Sequence, residues 1–277
     1  MSGTGTQTTS AGLSKKELLY VIKTGGNVID DETALNTFLK SFSSINEKKI
    51  LVHGGGKIAT SIGDKLGIQS KYIDGRRITD SETIDLVTMV YGGLVNKKIV
   101  ATLQSMQCNA IGLSGADANV LPAVKRPVKT IDYGWVGDAN SDDINPLTWQ
   151  LFLDNKMTPV VAPLTHDNHG HILNTNADTM ASVLSISLSK LYDVKLVYCF
   201  EKNGVLLDIN DDISSIAQLN KKYYKELKDE KKLFAGILPK IENAFDAIDS
   251  GVNSVFIGNS DQLLQLIKGE SGTKIIS

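Results

Sequence analysis

A chain of 277 residues with 42% hydrophobic and 22% charged side chains has the make-up of a folded globular protein, which excludes wholesale disorder. Its 29 basic and 31 acidic residues leave a formal charge of −2, which argues against a nucleic acid or a membrane surface as the main partner, since such proteins carry a basic face or stripe. The two cysteines, Cys108 and Cys199, lie in apolar segments without metal-ligand spacing, and read as small buried hydrophobes in a reducing compartment.

Residues 1–12 are rich in Ser, Thr and Gly, and a flexible leader is expected over 1–17. The leader lacks a basic start followed by an apolar stretch, and no run of the chain is read as approaching the length of a membrane span, so the expected location is the cytoplasm. The first buried strand is expected over Leu18–Ile22, closing at Lys23 and the Gly25-Gly26 turn. A helix over Asp30–Phe42 follows, then a short strand, Ile50–Val52, running into His53-Gly54-Gly55-Gly56. Ile58, Ile62 and Leu66 are spaced for a helix over Lys57–Leu66 with one face on a sheet. Beyond the polar stretch with Arg76-Arg77, two separate helices are predicted over Asp80–Met89 and Leu94–Gln104, then a strand over Ala110–Leu113. Val128, Ile131, Tyr133, Trp135 and Val136 among turn residues predict an antiparallel hairpin within Arg126–Asn145, outside the wound part of the sheet.

The rhythm then repeats: helix Leu147–Asn155, strand Thr158–Ala162, helix Asp178–Leu191, strand Lys195–Phe200, a polar bulge, a helical region to Lys228, helix Lys240–Ser250 and strand Ser254–Ile257. Short apolar strands alternating with amphipathic helices give an α/β protein, a three-layer αβα sandwich around a mainly parallel sheet. Ligands of such sheets sit at the carboxyl ends of the strands, where the glycines of this chain cluster.

The strongest local signal is His53-Gly54-Gly55-Gly56 between a strand and a helix, because consecutive glycines let successive N–H groups face one anion at a helix N-terminus. It is neither a Walker A loop nor a dinucleotide fingerprint. Lys23, closing an apolar strand just before Gly25-Gly26, needs a counter-charge or a ligand phosphate. Asp178 reads either as a helix N-cap or as a carboxylate orienting ammonium groups. Lys240 opens a helix, where a cation is unfavourable unless an anion is shared there. Arg77 has the fork to grip a substrate carboxylate. His166, His169 and His171 lie in a turn-like stretch and read as solvent-facing, so no metal site is assigned.

Five motifs in order, Ile22-Lys23-Thr24-Gly25-Gly26, Val52 to Gly56, Gly75-Arg76-Arg77-Ile78-Thr79, Asn174 to Asp178, and Gly236 to Lys240, make the chain resemble the amino acid kinase family, and within it the kinases of N-acylated glutamate. The resemblance runs from about Tyr20 to Ser277. It implies a substrate lobe over 18–173 that also carries a homodimer contact, and an ATP lobe over 174–277. It matches Lys23 and Lys240 to the lysines on the transferring phosphoryl, Asp178 to the carboxylate that organises them, and Gly25, Gly26, Gly54 and Gly55 to the phosphate-holding glycines. Gly55, Gly56, Arg77 and Asn174 match substrate contacts, and Glu201 with Lys240 falls on the nucleotide side. ATP with Mg²⁺ is implied, as is phosphorylation of the γ-carboxylate of an N-acyl-L-glutamate in arginine biosynthesis.

Two departures stand out. Phe200-Glu201 replaces a hydroxyl-aspartate pair, and Ala116 replaces a lysine in Ser114-Gly115-Ala116-Asp117. The lost charge at Ala116 leaves succinyl as an alternative to acetyl. The rival readings are another carboxylate or carbamate kinase of the same fold, and a nucleotide-binding regulatory protein without turnover. Retention of Lys23, Asp178 and Lys240 together argues against the second.

Overall fold

The computed structural model describes residues 15–73 and 75–277; most of the leader expected over 1–17 lies outside the described residues. Eight strands make the main sheet: β1 (Leu18–Thr24), β2 (Lys48–Val52), β3 (Ala110–Leu113), β4 (Thr158–Val161), β5 (Asp193–Phe200), β6 (Gln218–Leu219), β7 (Ser254–Asn259) and β8 (Thr273–Ile275). Across the sheet they run β6-β8-β7-β5-β1-β2-β4-β3. The stretch from β7 to β3 is parallel throughout, while β8 lies antiparallel to β7 and β6 pairs with β8. Near-continuous burial along β1, β4 and β7 is the mark of strands covered on both faces.

Helices supply both covers. They are α1 (Gly26–Asp30), α2 (Glu32–Ser43), α3 (Gly56–Leu66), α4 (Ser81–Ser105), α5 (Pro146–Asp154), α6 (Ala177–Leu188), α7 (Lys221–Asp229), α8 (Leu238–Asp249) and α9 (Leu263–Lys268). Phe38 and Phe42 of α2, Ile99 and Leu103 of α4, and Leu263 and Leu266 of α9 close one core against the sheet. Trp149 of α5, Leu184 and Leu188 of α6, and Ile241 and Phe245 of α8 close the other. From β1 the chain winds to one side through β2, β3 and β4, then crosses back to β5 on the far side of β1. That reversal leaves a crevice beyond the carboxyl ends of β1, β2 and β5.

Three sequence expectations need correction. The two helices over 80–89 and 94–104 are one continuous helical run, α4, whose middle, Thr88–Val95, is a π-helix. Gly92-Gly93 falls within the widened turn, in which the Asn96 N–H bonds back to the Tyr91 carbonyl, five residues earlier. As one helix, this run is long and apolar enough to cross a membrane by length and composition, contrary to the reading that no run is. It lies instead along the sheet, with Val87, Val90, Val95, Ile99 and Leu103 buried in the core. The hairpin expected within Arg126–Asn145 is an antiparallel pair of Ala123–Lys125 with Gly137–Ala139, so its first strand starts earlier, and Val128 is left exposed in a loop.

Trp149 shows how firmly the second core is closed. It is fully buried and donates its indole N–H to the Val120 carbonyl at 3.1 Å. Trp149→Ala removes that volume and orphans an acceptor, so urea unfolding followed by far-UV circular dichroism should show a loss of about 3–5 kcal/mol.

Candidate active site

Lys23 is the last residue but one of β1, Asp178 stands in the first turn of α6, and Lys240 stands in the first turn of α8. The three converge. Lys23 Nζ lies 2.8 Å from Asp178 Oδ1, and Lys240 Nζ lies 2.7 Å from Asp178 Oδ2, so one carboxylate holds two ammonium groups, one on each oxygen. Asp178 is free to do this because it is not the helix cap: Asn176 is, with its Oδ1 accepting from the Thr179 N–H at 3.0 Å. Burial by itself would raise the Asp178 pKa, but the charges of Lys23 and then Lys240 outweigh it and hold the carboxyl well below the usual carboxylate range.

Lys240 is 8% exposed and carries a charge at a helix N-terminus, a placement that opposes the helix dipole. Burial and the neighbouring Lys23 charge lower its pKa, with Asp178 pulling the other way. Aromatic faces add support, since Nζ lies 4.9 Å from the centre of the Tyr198 ring and 6.0 Å from that of Phe200. Tyr198 also donates its hydroxyl to the Asp178 backbone carbonyl at 3.1 Å. At the sequence level Phe200 reads only as a missing hydroxyl and Tyr198 is not picked out. The signal for both was alternation, because residues two apart on a strand share a face.

The two glycine turns meet. A Cβ placed on Gly54 would sit 3.7 Å from the Gly26 amide nitrogen, so the turns after β1 and β2 are neighbours about a methyl group apart at one edge of the crevice. Gly55 has φ +149°, and a Cβ there would come within 3.0 Å of the Tyr91 ring, so neither the backbone nor the space admits another residue easily. Gly25 departs from its expected part as a phosphate-holding donor. Its N–H is spent on the Cys199 carbonyl at 3.0 Å, extending the β1–β5 ladder, and the open turn begins one residue later at Gly26.

Arg77 lies beside the Gly54-Gly55-Gly56 turn and is 7% exposed. Its fork donates to the Gly56 carbonyl at 2.8 Å, to Thr60 Oγ1 at 2.9 Å and to Ser70 Oγ, while the guanidinium stands 4.8 Å over the Tyr72 ring. Asn174 joins the same segment through its Nδ2, which donates to Thr79 Oγ1 at 3.0 Å. Glu201, just past β5, is exposed and forms no ion pair among the described residues. At the Ala116 loop, the Asp117 carboxylate accepts from both the amide and the hydroxyl of Ser114. No group of three or more His, Cys, Asp or Glu side chains converges as a metal set among the described residues.

His53 lies beneath the triple-glycine turn with no exposed surface. Its Nδ1 is 2.7 Å from the Gly54 carbonyl oxygen and its Nε2 is 3.1 Å from Asn96 Nδ2. Burial pulls its pKa down to about 4, against the hydrogen bond to Gly54, which favours the charged form.

Comparison with known proteins gives the site a family setting. Residues 19–259 match the model of the amino acid kinase family. The chain is 54% identical over 262 residues to the acetylglutamate kinase of Cytophaga hutchinsonii, covering 94% of this chain and 98% of that one. It is 51% identical to the acetylglutamate kinase of Bacteroides fragilis, covering 94% of this chain and 97% of that one. Among solved structures, smu.665 from Streptococcus mutans superposes with a TM-score of 0.76 at 28% identity, over 93% of this chain and 98% of that one.

The buried imidazole makes stability depend on pH in a set direction. With a folded pKa of about 4 against an ordinary 6.5, the unfolded chain takes up the proton first. The His53 contribution is therefore complete above about pH 6.5 and is lost as the pH falls towards 4, by roughly 3 kcal/mol across that window. Urea unfolding at pH 7.5, 5.5 and 4.5 should show this slope in the natural chain. A His53→Gln variant should lack that share of it.

Proposed function

The chain belongs to the amino acid kinase family, and from that premise we infer that it transfers the γ-phosphoryl group of ATP to the γ-carboxylate of N-acetyl-L-glutamate, a step of arginine biosynthesis. It is a kinase with a carboxyl group as acceptor, and its relatives over almost the whole chain carry the same activity in their name. The observation that carries the reading is the clasp of Lys23 and Lys240 on Asp178 beside two neighbouring glycine turns.

A carboxylate is already an anionic nucleophile, so the reaction needs no general base. What it needs is that two anions be held in line and the charge of the transferring group be screened. Lys23 and Lys240 are placed to reach the oxygens of that group from two sides, with Asp178 fixing the separation of their ammonium groups. The open amides of the glycine turns supply uncharged donors on the third side. Arg77 and Asn174, linked through Thr79, are assigned to the acylated glutamate, and Glu201 with the 174–277 lobe to the nucleotide. Among the described residues no carboxylate cluster is gathered to hold Mg²⁺; an ion bound with the nucleotide would take most of its ligands from the phosphates and would screen their charge. A homodimer in the cytoplasm completes the proposal.

A coupled ADP-release assay with N-acetyl-L-glutamate and N-succinyl-L-glutamate side by side tests the reading. Turnover on the acetyl compound is expected; ADP release with carbamate or aspartate alone would overturn it, and turnover only on the succinyl compound would reassign the acyl group. Lys240→Ala should lower kcat about 100- to 1000-fold while moving the KM for the acylated glutamate far less. Near-normal kcat in that variant at saturating ATP would remove Lys240 from the chemistry.

A further inference from the structure

The triple-glycine turn does not hold its own shape. Gly55 sits at positive φ, and no protein group accepts the amides of Gly54 or Gly55 among the described residues, so the direction in which those N–H groups point has to be imposed from elsewhere. A buried chain of hydrogen bonds runs to that turn. Asn96, 1% exposed, donates from Nδ2 to the Val160 carbonyl at 2.9 Å and to His53 Nε2 at 3.1 Å, and His53 Nδ1 meets the Gly54 carbonyl at 2.7 Å.

The polarity of this chain is fixed at both ends. A carbonyl oxygen only accepts, so the atom of Asn96 facing Val160 must be the amide nitrogen. Its second hydrogen then points at His53 Nε2, which must be bare. The imidazole proton therefore resides on Nδ1, where it donates to Gly54, again a group that only accepts. Asn96 Oδ1, on the other side, accepts from Lys97 Nζ at 3.3 Å, in agreement with this orientation. A neutral imidazole is what burial enforces there.

We infer that Asn96 and His53 are positioning residues for phosphoryl transfer: by fixing the Nδ1–H tautomer they draw the Gly54 carbonyl inward and turn the Gly55 N–H towards the transferring group. The peptide unit is planar and trans, so its N–H points opposite to its C=O. With the carbonyl held against an imidazole that has no exposed surface, the amide faces away from the core, on the crevice side of the turn. The π-helix in α4 makes this possible. In a regular helix, residues five apart point about 140° apart, from 3.6 residues per turn. The widened turn, closed by the bond from the Asn96 N–H to the Tyr91 carbonyl, lets Tyr91 press on Gly55 while Asn96 reaches His53, so that both serve one turn.

The test has two readouts, and the first needs no activity. With four histidines in the chain, nitrogen-15 labelling of histidine gives a simple spectrum. One imidazole should stay neutral with its proton on Nδ1 from pH 5.5 to 8, and mutation of His53 should remove it. A spectrum in which none of the four imidazoles stays neutral with its proton on Nδ1 at pH 6 would overturn the inference even if every variant failed to fold. In Asn96→Ala the bare Nε2 loses its partner, so the Nε2–H form should appear, and kcat should fall about 10- to 100-fold with the KM for the acylated glutamate within threefold of the natural chain. A folded Asn96→Ala protein with kcat within twofold, or with its loss confined to KM, would also overturn it. The inference rests on the phosphoryl-transfer reading of the site. Failure of that reading appears separately, as a natural chain that releases no ADP.

Discussion

The Asp178 carboxylate, held between Lys23 and Lys240, is the contact on which the rest of the crevice depends. Two ammonium groups so close together repel, and neither has a carboxylate other than Asp178 within ion-pair distance among the described residues. One carboxylate with two oxygens resolves both problems, provided three separate elements deliver their side chains to one point. That requirement fixes the sheet order. The β1 strand must be central, α6 and α8 must lie on the same face, and the α6 N-terminus must be capped by something other than Asp178, as it is by Asn176.

The glycine turns answer a second constraint. A crevice at the carboxyl ends of parallel strands presents main-chain donors only if the turn leaving each strand is open; a Cβ at Gly54 would face Gly26, and one at Gly55 would run into the Tyr91 ring. Openness costs order, because glycine has the most conformational freedom to lose. Order is restored from beneath, by His53 inside the core, by Tyr91 at the flank and by Arg77 bonded to the Gly56 carbonyl. Each comes from a packed element, so the turn borrows rigidity from the core.

Sequence reading reached the α/β class, the parallel sheet and the glycine turns because each rests on a local signal: apolar runs at strand length, helical spacing, and glycines between them. It also brought Lys23, Asp178 and Lys240 together, through motif order. The pairing of Asp178 with both lysines is a contact between residues far apart in the chain, and no local pattern encodes it. The single helix α4 was hidden because Gly92-Gly93 carries the signature of a break, and only packing against the sheet tells a π-turn from a loop. Gly25 was misjudged for a related reason, since whether an amide is free depends on the neighbouring strand, here on the Cys199 carbonyl. The β6 and β8 strands are two and three residues long, too short for periodicity to register.

The charge balance at the clasp ties stability to function. Two lysines against one aspartate leave a surplus positive charge in a largely buried place, and burial with the Lys23 charge lowers the pKa of Lys240 accordingly. The aromatic faces of Tyr198 and Phe200 soften that cost without cancelling the charge, which an added carboxylate would do. Such a surplus attracts an anion. The same imbalance favours an anion at the clasp, and the more so the greater its negative charge. A protein built for stability alone would place a second carboxylate beside Lys240; in this chain the single Asp178 serves both lysines.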